Sequence, residues 1–273
     1  MEGKTITVSH NIHNNDTDEH IKDKTENVIE PSSNNPDNTT RIKPSNNKLN
    51  SENYNDNIIK RVSEPTFQSD YSFRICVIGD VNVGKTSLLT RYCDNVFKEA
   101  YTNTIGVDFR VVTLRYKEIL AKVHIWDTAG QERFKSISIN YFRACHGFMF
   151  IYDITNKSSF MNINRWMELA FSNNRMNVIN FLVGNKNDLE ENREVSIEEA
   201  KQFANTMNLL YLETSAKNNS NVGKAFEYLT FNLIDYYTKH KKDYKNEKEE
   251  DQSSGENINI KDLIVKRKRK CNC

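Results

Sequence analysis

The residues with the clearest chemistry are 79–86, which read Gly-Asp-Val-Asn-Val-Gly-Lys-Thr. This order matches G-x-x-x-x-G-K-[ST], the pattern of a phosphate-binding loop. Gly79 and Gly84 let the backbone turn so that several N–H groups point at one anion, and the helix that begins there adds its positive dipole end. Lys85 can reach the β- and γ-phosphates, and the Thr86 hydroxyl can ligate Mg²⁺. The loop predicts a nucleoside triphosphate site whose contacts come from Asp80, Val81, Asn82, Val83, Gly84, Lys85, Thr86 and Ser87.

Apolar runs on both sides of this loop indicate the elements that would hold it. Residues 73–78 form a short run typical of a buried strand, and residues 87–92 continue as a helix. Farther along, strand-like runs alternate with helical patterns. The strand-like runs are 107–115, 119–126, 148–152, 178–183 and 209–212, and the helical ones are about 158–174, 196–207 and 221–237. This order predicts an α/β fold with a mostly parallel six-stranded sheet, helices on both faces, and ligands at the carboxyl ends of the strands.

Three residues that follow the third strand-like run could act on a bound triphosphate. Asp127 leaves that strand toward the phosphates, where a carboxylate can hold Mg²⁺, often through water. Gly130 allows a backbone N–H to approach the γ-phosphate, and Gln131 could orient an attacking water. Any one of these residues could belong to an ordinary turn, but the whole run 126–134 favours a triphosphate site.

Side chains that follow the fifth and sixth strand-like runs can distinguish one base from another. The Asp188 carboxylate can accept from both N1–H and N2–H₂ of guanine, a donor pair that adenine lacks, and a carboxylate left unpaired by the wrong base would be costly. Asn185 would tie neighbouring loops together, and the stem of Lys186 would cover one face of the ring. The N–H of Ala216 could donate to guanine O6, in a segment that also contains Ser215 and Lys217.

Composition divides the 273-residue chain into three parts. Residues 1–70 contain all four prolines and many Asn and Ser residues without a sustained apolar period, so they predict a disordered extension with a net charge of −4. Residues 71–238 hold the motifs and are long enough for one well-cored domain. Residues 239–273 have a net charge of +4 and predict a flexible tail.

The five cysteines show no disulfide pattern, which favours a reducing compartment. We expect Cys145 to be a buried packing residue rather than a redox group. No apolar run approaches the roughly 18 residues that a membrane-spanning helix needs.

Together these motifs resemble the small GTPases of the Ras superfamily, over about residues 72–238. The resemblance is closest to the Rab branch, through the segments 104–109 (Thr-Ile-Gly-Val-Asp-Phe), 122–127 (Lys-Val-His-Ile-Trp-Asp) and 129–134 (Ala-Gly-Gln-Glu-Arg-Phe). It implies a three-layer P-loop GTPase domain, with Phe97 packed on guanine, Tyr101 over the phosphates, and Thr104 on Mg²⁺ in the GTP state. It also implies an effector surface, for which core packing is the alternative explanation, at Ile105, Phe109, Trp126 and Tyr141.

The resemblance further implies a GTP- and GDP-controlled switch that regulates vesicle-mediated transport and hydrolyses GTP to GDP and phosphate. In such an enzyme Gln131 would position the water, while Lys85 and Mg²⁺ would stabilise the developing charge. The implied partners are a guanine nucleotide exchange factor, a GTPase-activating protein, effectors, a GDP dissociation inhibitor and a prenylation escort protein. Nucleic acid is not expected to be a partner.

The residues Cys271-Asn-Cys273 resemble the Rab signal for double geranylgeranylation. Two lipid chains anchor a protein stably, whereas one does so only marginally. The basic run Lys266–Lys270 just upstream favours an anionic membrane over nuclear import. The resemblance therefore implies the cytoplasmic face of an endomembrane or vesicle, in exchange with the cytosol.

Val81 departs from the family pattern, because Ras proteins have glycine and many Rabs have serine at this position of the phosphate loop. A branched side chain would point toward the space used by the glutamine and by an arginine finger, which favours slow hydrolysis. Two other classes stay open: a constitutive GTP-loaded scaffold, which only Val81 supports, and an unrelated P-loop ATPase, which Asp188 and the Ser215-Ala216 pair disfavour. The extension 1–70 is either a solvated tail without a specific role or an acidic tail that contacts the basic C-terminus or a partner.

Overall fold

The computed structural model describes residues 59–62, 68–99, 107–128, 141–174 and 176–246. Seven strands form one sheet: β1 Ile59–Val62, β2 Tyr71–Ile78, β3 Val107–Tyr116, β4 Ile119–Thr128, β5 Gly147–Asp153, β6 Ile179–Asn185 and β7 Leu210–Thr214. The helices are α1 Lys85–Asp94, α2 Lys157–Met161, α3 Ile163–Ser172, α4 Ile197–Thr206 and α5 Val222–Lys239, with a 3₁₀ helix at Asn187–Asn192. Within these ranges no helix combines the length and the apolar character that crossing a bilayer requires.

The strand order is β1-β3-β4-β2-β5-β6-β7. Strands β4, β2, β5, β6 and β7 run parallel to one another, while β3 forms an antiparallel hairpin with β4. The predicted α/β class and the mostly parallel sheet are therefore confirmed. Because parallel strands end at the same edge of a sheet, the loops that follow β2, β4, β6 and β7 lie together.

The count of six strands was wrong, because β1 adds a seventh at the edge. It pairs antiparallel with β3, from Ile59 opposite Tyr116 to Val62 opposite Thr113. These four residues belong to the extension that the sequence predicts to be disordered. A run of Ile-Lys-Arg-Val inside an Asn-rich segment is too short to show a period, and its partner lies more than 50 residues away. Residues 1–58 of the extension lie outside the described residues.

Two apolar clusters cover the two faces of the sheet. One joins β1, β2 and β3 to α1 and α5, and it contains Val222, Phe226 and Leu229 on one face of α5. The other lies beneath α3 and α4. All seven residues of β5 and all seven of β6 are buried, as expected for parallel strands covered on both faces. This rigid double-sided core holds the strand ends in place.

Asparagine and serine side chains fix where several helices begin. Ser196 caps α4 by accepting from the Glu199 N–H at 3.1 Å, as its position before two glutamates indicates. Asn156 caps α2 in the same way, by accepting from the Ser159 N–H at 3.1 Å. The helix expected over 158–174 is instead divided at Asn162 into α2 and α3. That break has a function in the nucleotide site, described below.

The folded domain continues past residue 238, where the sequence predicts a flexible tail. Residues 241–246 form a further helical turn. It brings Tyr244 onto the rings of Tyr71, Phe73 and Tyr237, with centroid separations of 5.0, 6.1 and 5.4 Å. The Tyr244 hydroxyl also accepts from the Ser72 N–H at 2.8 Å. Residues 247–273 lie outside the described residues.

The structure pairs Cys76 of β2 with Cys145, which precedes β5, as a disulfide with Cα atoms 6.5 Å apart. Both residues are fully buried. The burial of Cys145 agrees with the sequence-based expectation, whereas its pairing with Cys76 differs from the expectation that the cysteines form no disulfide framework. The two cysteines are 69 residues apart in sequence, and only the parallel pairing of β2 with β5 brings them together. The cysteine count alone therefore does not establish a reducing compartment.

Candidate nucleotide-binding site

The phosphate loop has a backbone that only glycine allows at two positions. Gly84 adopts a φ of 94°, and a Cβ atom there would lie 2.3 Å from Asn185 Nδ2. A Cβ atom at Gly79 would lie 2.2 Å from the carbonyl oxygen of Ile151. The residues between them form a turn in which Val83 is buried and Asn82 takes a φ of 67°. The loop that the motif predicts thus closes tightly over β5 and β6 and leads directly into α1.

Lys85 folds its side chain back into this loop. Its ammonium donates to the carbonyl oxygen of Gly79 at 2.9 Å and to that of Asp80 at 2.6 Å. Burial lowers the pKa of Lys85 to about 8, against the opposing effect of the nearby Asp127 and Asp80 carboxylates. The group therefore remains mostly cationic at neutral pH. A buried cation inside a loop of N–H groups is suited to binding phosphate oxygens.

Thr86 and Asp127 meet next to the loop and fit a divalent cation. The Thr86 hydroxyl donates to Asp127 Oδ2 at 2.5 Å. Asp127 is fully buried, and among the described residues its Oδ1 atom has no hydrogen-bond partner. Burial raises the pKa of this carboxyl to about 6. A hydroxyl and an orphaned carboxylate oxygen are hard oxygen ligands of the kind that Mg²⁺ takes.

The base-recognition motifs lie together at the ends of β6 and β7. Ser215 donates through its hydroxyl to Asp188 Oδ1 at 2.5 Å. Asn185 is buried, and its Nδ2 donates to the carbonyl oxygen of Val83 at 2.8 Å while its Oδ1 accepts from the Thr214 hydroxyl at 3.2 Å. The Asn185 amide thus joins the phosphate loop to both base-recognition loops. The Lys186 ammonium pairs with Asp153 Oδ2 at 2.6 Å, at the ends of β6 and β5.

Three of the predicted effector residues form a continuous aromatic stack. The ring centroids of Phe109 and Trp126 are 4.5 Å apart, and those of Trp126 and Tyr141 are 4.6 Å apart. Trp126 is buried, whereas Phe109 and Tyr141 are partly exposed. His124 stacks on Phe109 at 5.7 Å, and burial, with Arg74 and Lys122 nearby, lowers its pKa to about 4. The stack therefore presents a neutral aromatic surface at physiological pH.

A family model described as "Ras family" matches residues 74–235. The chain is 47% identical over 172 residues to "Ras-related protein Rab-1" of Theileria parva, a match that covers 63% of this chain and 78% of the relative. It is 43% identical over 166 residues to "GTP-binding protein YPTM2" of Zea mays, covering 61% and 82%. It is also 43% identical over 157 residues to "GTP-binding protein ypt1" of Schizosaccharomyces pombe, covering 58% and 77%.

The chain belongs to the Ras family, in its Rab branch. The resemblance stated from the motifs is confirmed, and with it the enzyme class, since Rab proteins are GTPases. As a Rab-family GTPase the protein has a role in vesicle trafficking within the endomembrane system. The family match begins at residue 74 and ends at residue 235, so β1 and the turn at 241–246 lie outside it.

Several residues that the motifs predict for this Rab-family GTPase lie outside the described residues. They are Tyr101, Thr104, Ile105, Gly130, Gln131, Cys271 and Cys273. Their roles stay predictions. The described ones gather at the carboxyl edge of the sheet, where Val81 is 42% exposed at the tip of the phosphate loop.

Arg91 is a site residue that the motifs do not identify. From the last turn of α1 it donates through Nε to the carbonyl oxygen of Ala216 at 2.8 Å and through Nη2 to that of Lys217 at 3.1 Å. Its guanidinium also lies 5.9 Å from the ring centroid of Phe97. Arg91 therefore supports two residues that the family resemblance places around guanine. Only the folded arrangement of α1 and β7 reveals this role.

Two further residues that the motifs do not identify, Asn162 and Trp166, hold the phosphate loop through the Asp80 side chain. The Asp80 carboxylate accepts from Trp166 Nε1 and from Asn162 Nδ2, each at 2.7 Å. Trp166 is buried in α3, and Asn162 stands at the break between α2 and α3. We call these two hydrogen bonds to the Asp80 carboxylate the Asp80 clamp. Because the carbonyl oxygen of Asp80 also accepts from Lys85, the Asp80 clamp fixes the residue that orients the phosphate-binding lysine. Hydrogen bonds to an ionised carboxylate are the stronger kind.

We expect Trp166→Phe to weaken GDP binding by up to about tenfold, because it removes one donor to the Asp80 carboxylate while keeping an aromatic ring in the core. In an Asp80→Ala background the same substitution should cost much less, since the acceptor is already absent. The double-mutant cycle, measured with a fluorescent GDP, separates the clamp from general packing. Equal costs in both backgrounds would show that Trp166 acts through packing alone.

Proposed function

We propose that this Rab-family GTPase is a membrane-anchored switch that binds GTP or GDP with Mg²⁺ and thereby regulates vesicle-mediated transport. Two relatives carry the printed name "GTP-binding protein". The observation that carries the proposal is the Asn185 amide, which joins the phosphate loop to Thr214 beside the Asp188–Ser215 pair. A single nucleotide can therefore contact the phosphate-binding and the base-binding residues at once.

Guanine selectivity rests on the Asp188 carboxylate. Ser215 donates to Oδ1 and holds the carboxylate in the first turn of the 3₁₀ helix. An ionised carboxylate presents only acceptors, so it pairs with the N1–H and N2–H₂ donors of guanine. Adenine has no donor at either position, which would leave a desolvated carboxylate without a partner. Selection against adenine then follows from the cost of covering a carboxylate with a base that offers it no donor.

The residues around the phosphates would bind and orient the triphosphate in the following way. Thr86 and Asp127, with Thr104, would hold Mg²⁺, which when bound supplies positive charge beside the β- and γ-phosphates. Lys85 would exchange its two carbonyl acceptors for phosphate oxygens. Gln131 would position the attacking water, and the N–H of Gly130 would bind the γ-phosphate.

Loss of the γ-phosphate would release the contacts made by Thr104 and Gly130, and this supplies the switch. The stack of Phe109, Trp126 and Tyr141 would report that change to effectors. In this cycle an exchange factor, a GTPase-activating protein, a GDP dissociation inhibitor and a prenylation escort protein would act on the protein. Catalysis serves as a timer, and binding is the output.

Asp188→Asn tests guanine recognition. The amide still accepts from Ser215, so the loop should keep its fold, but it offers a donor where guanine presents N2–H₂. We expect GTP affinity to fall by about 100-fold or more, and xanthosine triphosphate, with a carbonyl at that position, to bind instead. Competition binding with GTP, ATP and xanthosine triphosphate measures this. Glu190→Gln, on the same 3₁₀ helix but paired with Arg193, is the control that should change nothing; unaltered selectivity in Asp188→Asn would refute the assignment.

Val81→Ser tests the timer. We expect the serine variant to hydrolyse GTP severalfold faster, because a smaller side chain at the exposed tip of the loop opens space for the catalytic glutamine. Single-turnover hydrolysis of preloaded GTP gives the rate, and the dissociation rate of GDP serves as a control for changes in binding. Equal hydrolysis rates would remove the basis for slow turnover and, with it, the constitutive scaffold alternative.

The proposed membrane anchor consists of two lipid chains on Cys271 and Cys273 and the basic run 266–270. One lipid chain binds a bilayer only marginally, whereas two provide stable attachment. Basic residues near an anionic leaflet add roughly 1 kcal/mol each. The charge of the run therefore adds to the binding of the lipids.

Replacing both cysteines with serine should move the protein from the membrane fraction to the cytosol. A variant with only one of the two replaced should distribute between both fractions, because a single chain attaches reversibly. Fractionation of cells, with lipid mass determined by intact-protein mass spectrometry, measures both effects. Unchanged membrane association of the double variant would refute the anchor.

A further inference from the structure

Strand β1 is a described segment of the N-terminal extension that pairs with the folded domain. Ile59 is 1% exposed and belongs to the apolar cluster that also contains α1 and α5. The next residue, Lys60, is exposed. Backbone pairing with β3 fixes the register of all four residues. The extension is therefore attached to the domain through the pairing of β1 with β3 and the burial of Ile59. Strand β1 lies outside the residues that the Ras family model matches.

Arg61 connects this strand to the end of α1. Its Nη1 donates to the carbonyl oxygens of Tyr92 and Cys93, at 3.0 and 3.1 Å. Its guanidinium also lies 5.7 Å from the ring centroid of Tyr92. The last carbonyls of a helix lack partners within the helix and carry the negative end of its dipole, so a cation there is favourable. Arg61 thus caps α1 from a different part of the chain.

The helix that Arg61 caps is the one that holds the nucleotide site together. Its first residue is Lys85, in the phosphate loop, and its last turn carries Arg91, which binds the Ala216 and Lys217 carbonyls. Tyr92, whose carbonyl oxygen accepts from Arg61, stacks on Phe226 of α5 with ring centroids 4.4 Å apart. A displacement of the last turn of α1 would therefore move Arg91 and loosen the loop that the family resemblance places on guanine.

We propose that β1 is an intramolecular clamp through which the N-terminal extension slows release of the bound guanine nucleotide. Arg61 is a positioning residue in this clamp, because it acts on α1 and not on the nucleotide. The clamp rests on the proposed nucleotide binding. A strand that merely added stability would change the unfolding temperature, whereas a clamp also changes the rate at which the folded protein releases its ligand.

The test uses the full chain, loaded with a fluorescent GDP and Mg²⁺, at a temperature well below the unfolding midpoint of every variant. We expect Arg61→Ala to release the nucleotide at least about threefold faster than the wild type, since charged hydrogen bonds to two carbonyls are lost. Lys60→Ala is the matched control, because it removes an exposed cation from the same strand. It should release GDP at the wild-type rate. Arg61→Lys, which keeps the charge but loses the planar fork, should lie between the two.

Ile59→Asp provides a second variant, since a charge at this buried position in the apolar cluster should detach the whole of β1 from β3. Hydrogen exchange on the loaded protein should then speed up at the amides of residues 113–116 and in the last turn of α1, and much less elsewhere. Lys60→Ala should keep the wild-type pattern.

If the wild type binds GDP but Arg61→Ala and Ile59→Asp release it at the wild-type rate, the clamp is wrong while the proposed function stands. If the wild type binds no guanine nucleotide, both are wrong.

Discussion

The nucleotide site depends on one buried amide, that of Asn185. It stands at the end of β6, donates to the phosphate loop at Val83 and accepts from Thr214 at the end of β7. The approach is so close that only glycine fits at position 84. A buried polar group without a partner costs about 1–3 kcal/mol. Moving either the phosphate loop or the loop after β7 would therefore leave one end of the Asn185 amide without its partner, so the two loops hold each other in place. The phosphate and base halves of the site are therefore one cooperative unit, and they cannot be adjusted separately.

Buried charge is the energetic consequence of that arrangement. Lys85 and Asp127 are both buried at the same edge of the sheet. Burial disfavours the charged form of each group, so it lowers the pKa of Lys85 to about 8 and raises the pKa of Asp127 to about 6. A fold selected for stability alone would not keep an orphaned carboxylate oxygen beside a desolvated ammonium. The bound phosphates and cation would compensate both groups. Binding of the proposed ligands would therefore stabilise the folded domain and link occupancy to local order.

The sequence was sufficient for the parts of the protein whose signal is local. Strand β5 could be located because its residues form one apolar run, and the phosphate loop because its spacing is nearly unique. The Asp80 clamp could not be predicted, since Trp166 lies 86 residues away and is, by pattern, an ordinary core residue. The role of Arg91 could not be predicted either, because no sequence motif distinguishes an arginine that binds distant carbonyls from one that faces solvent on a helix. Strand β1 and Tyr244 were missed because four residues and one ring have no period.

The two ends of the described chain attach to the domain at different places, and this separates their effects. Tyr244 binds Ser72, near the start of β2, whereas the nucleotide loops follow the carboxyl ends of the strands. The C-terminal tail therefore leaves from the end of the sheet opposite the nucleotide. In the proposed anchored state, the segment between the docked turn and the basic run is 247–265. This is shorter than a segment that starts at residue 239, where the sequence predicts the tail to begin, and it would hold the domain closer to the bilayer. Arg61, in contrast, lies beside the last turn of α1, the helix that begins at Lys85. In the proposed clamp the N-terminal extension would therefore act on the nucleotide site, while in the proposed anchor the C-terminal tail would set the position of the domain.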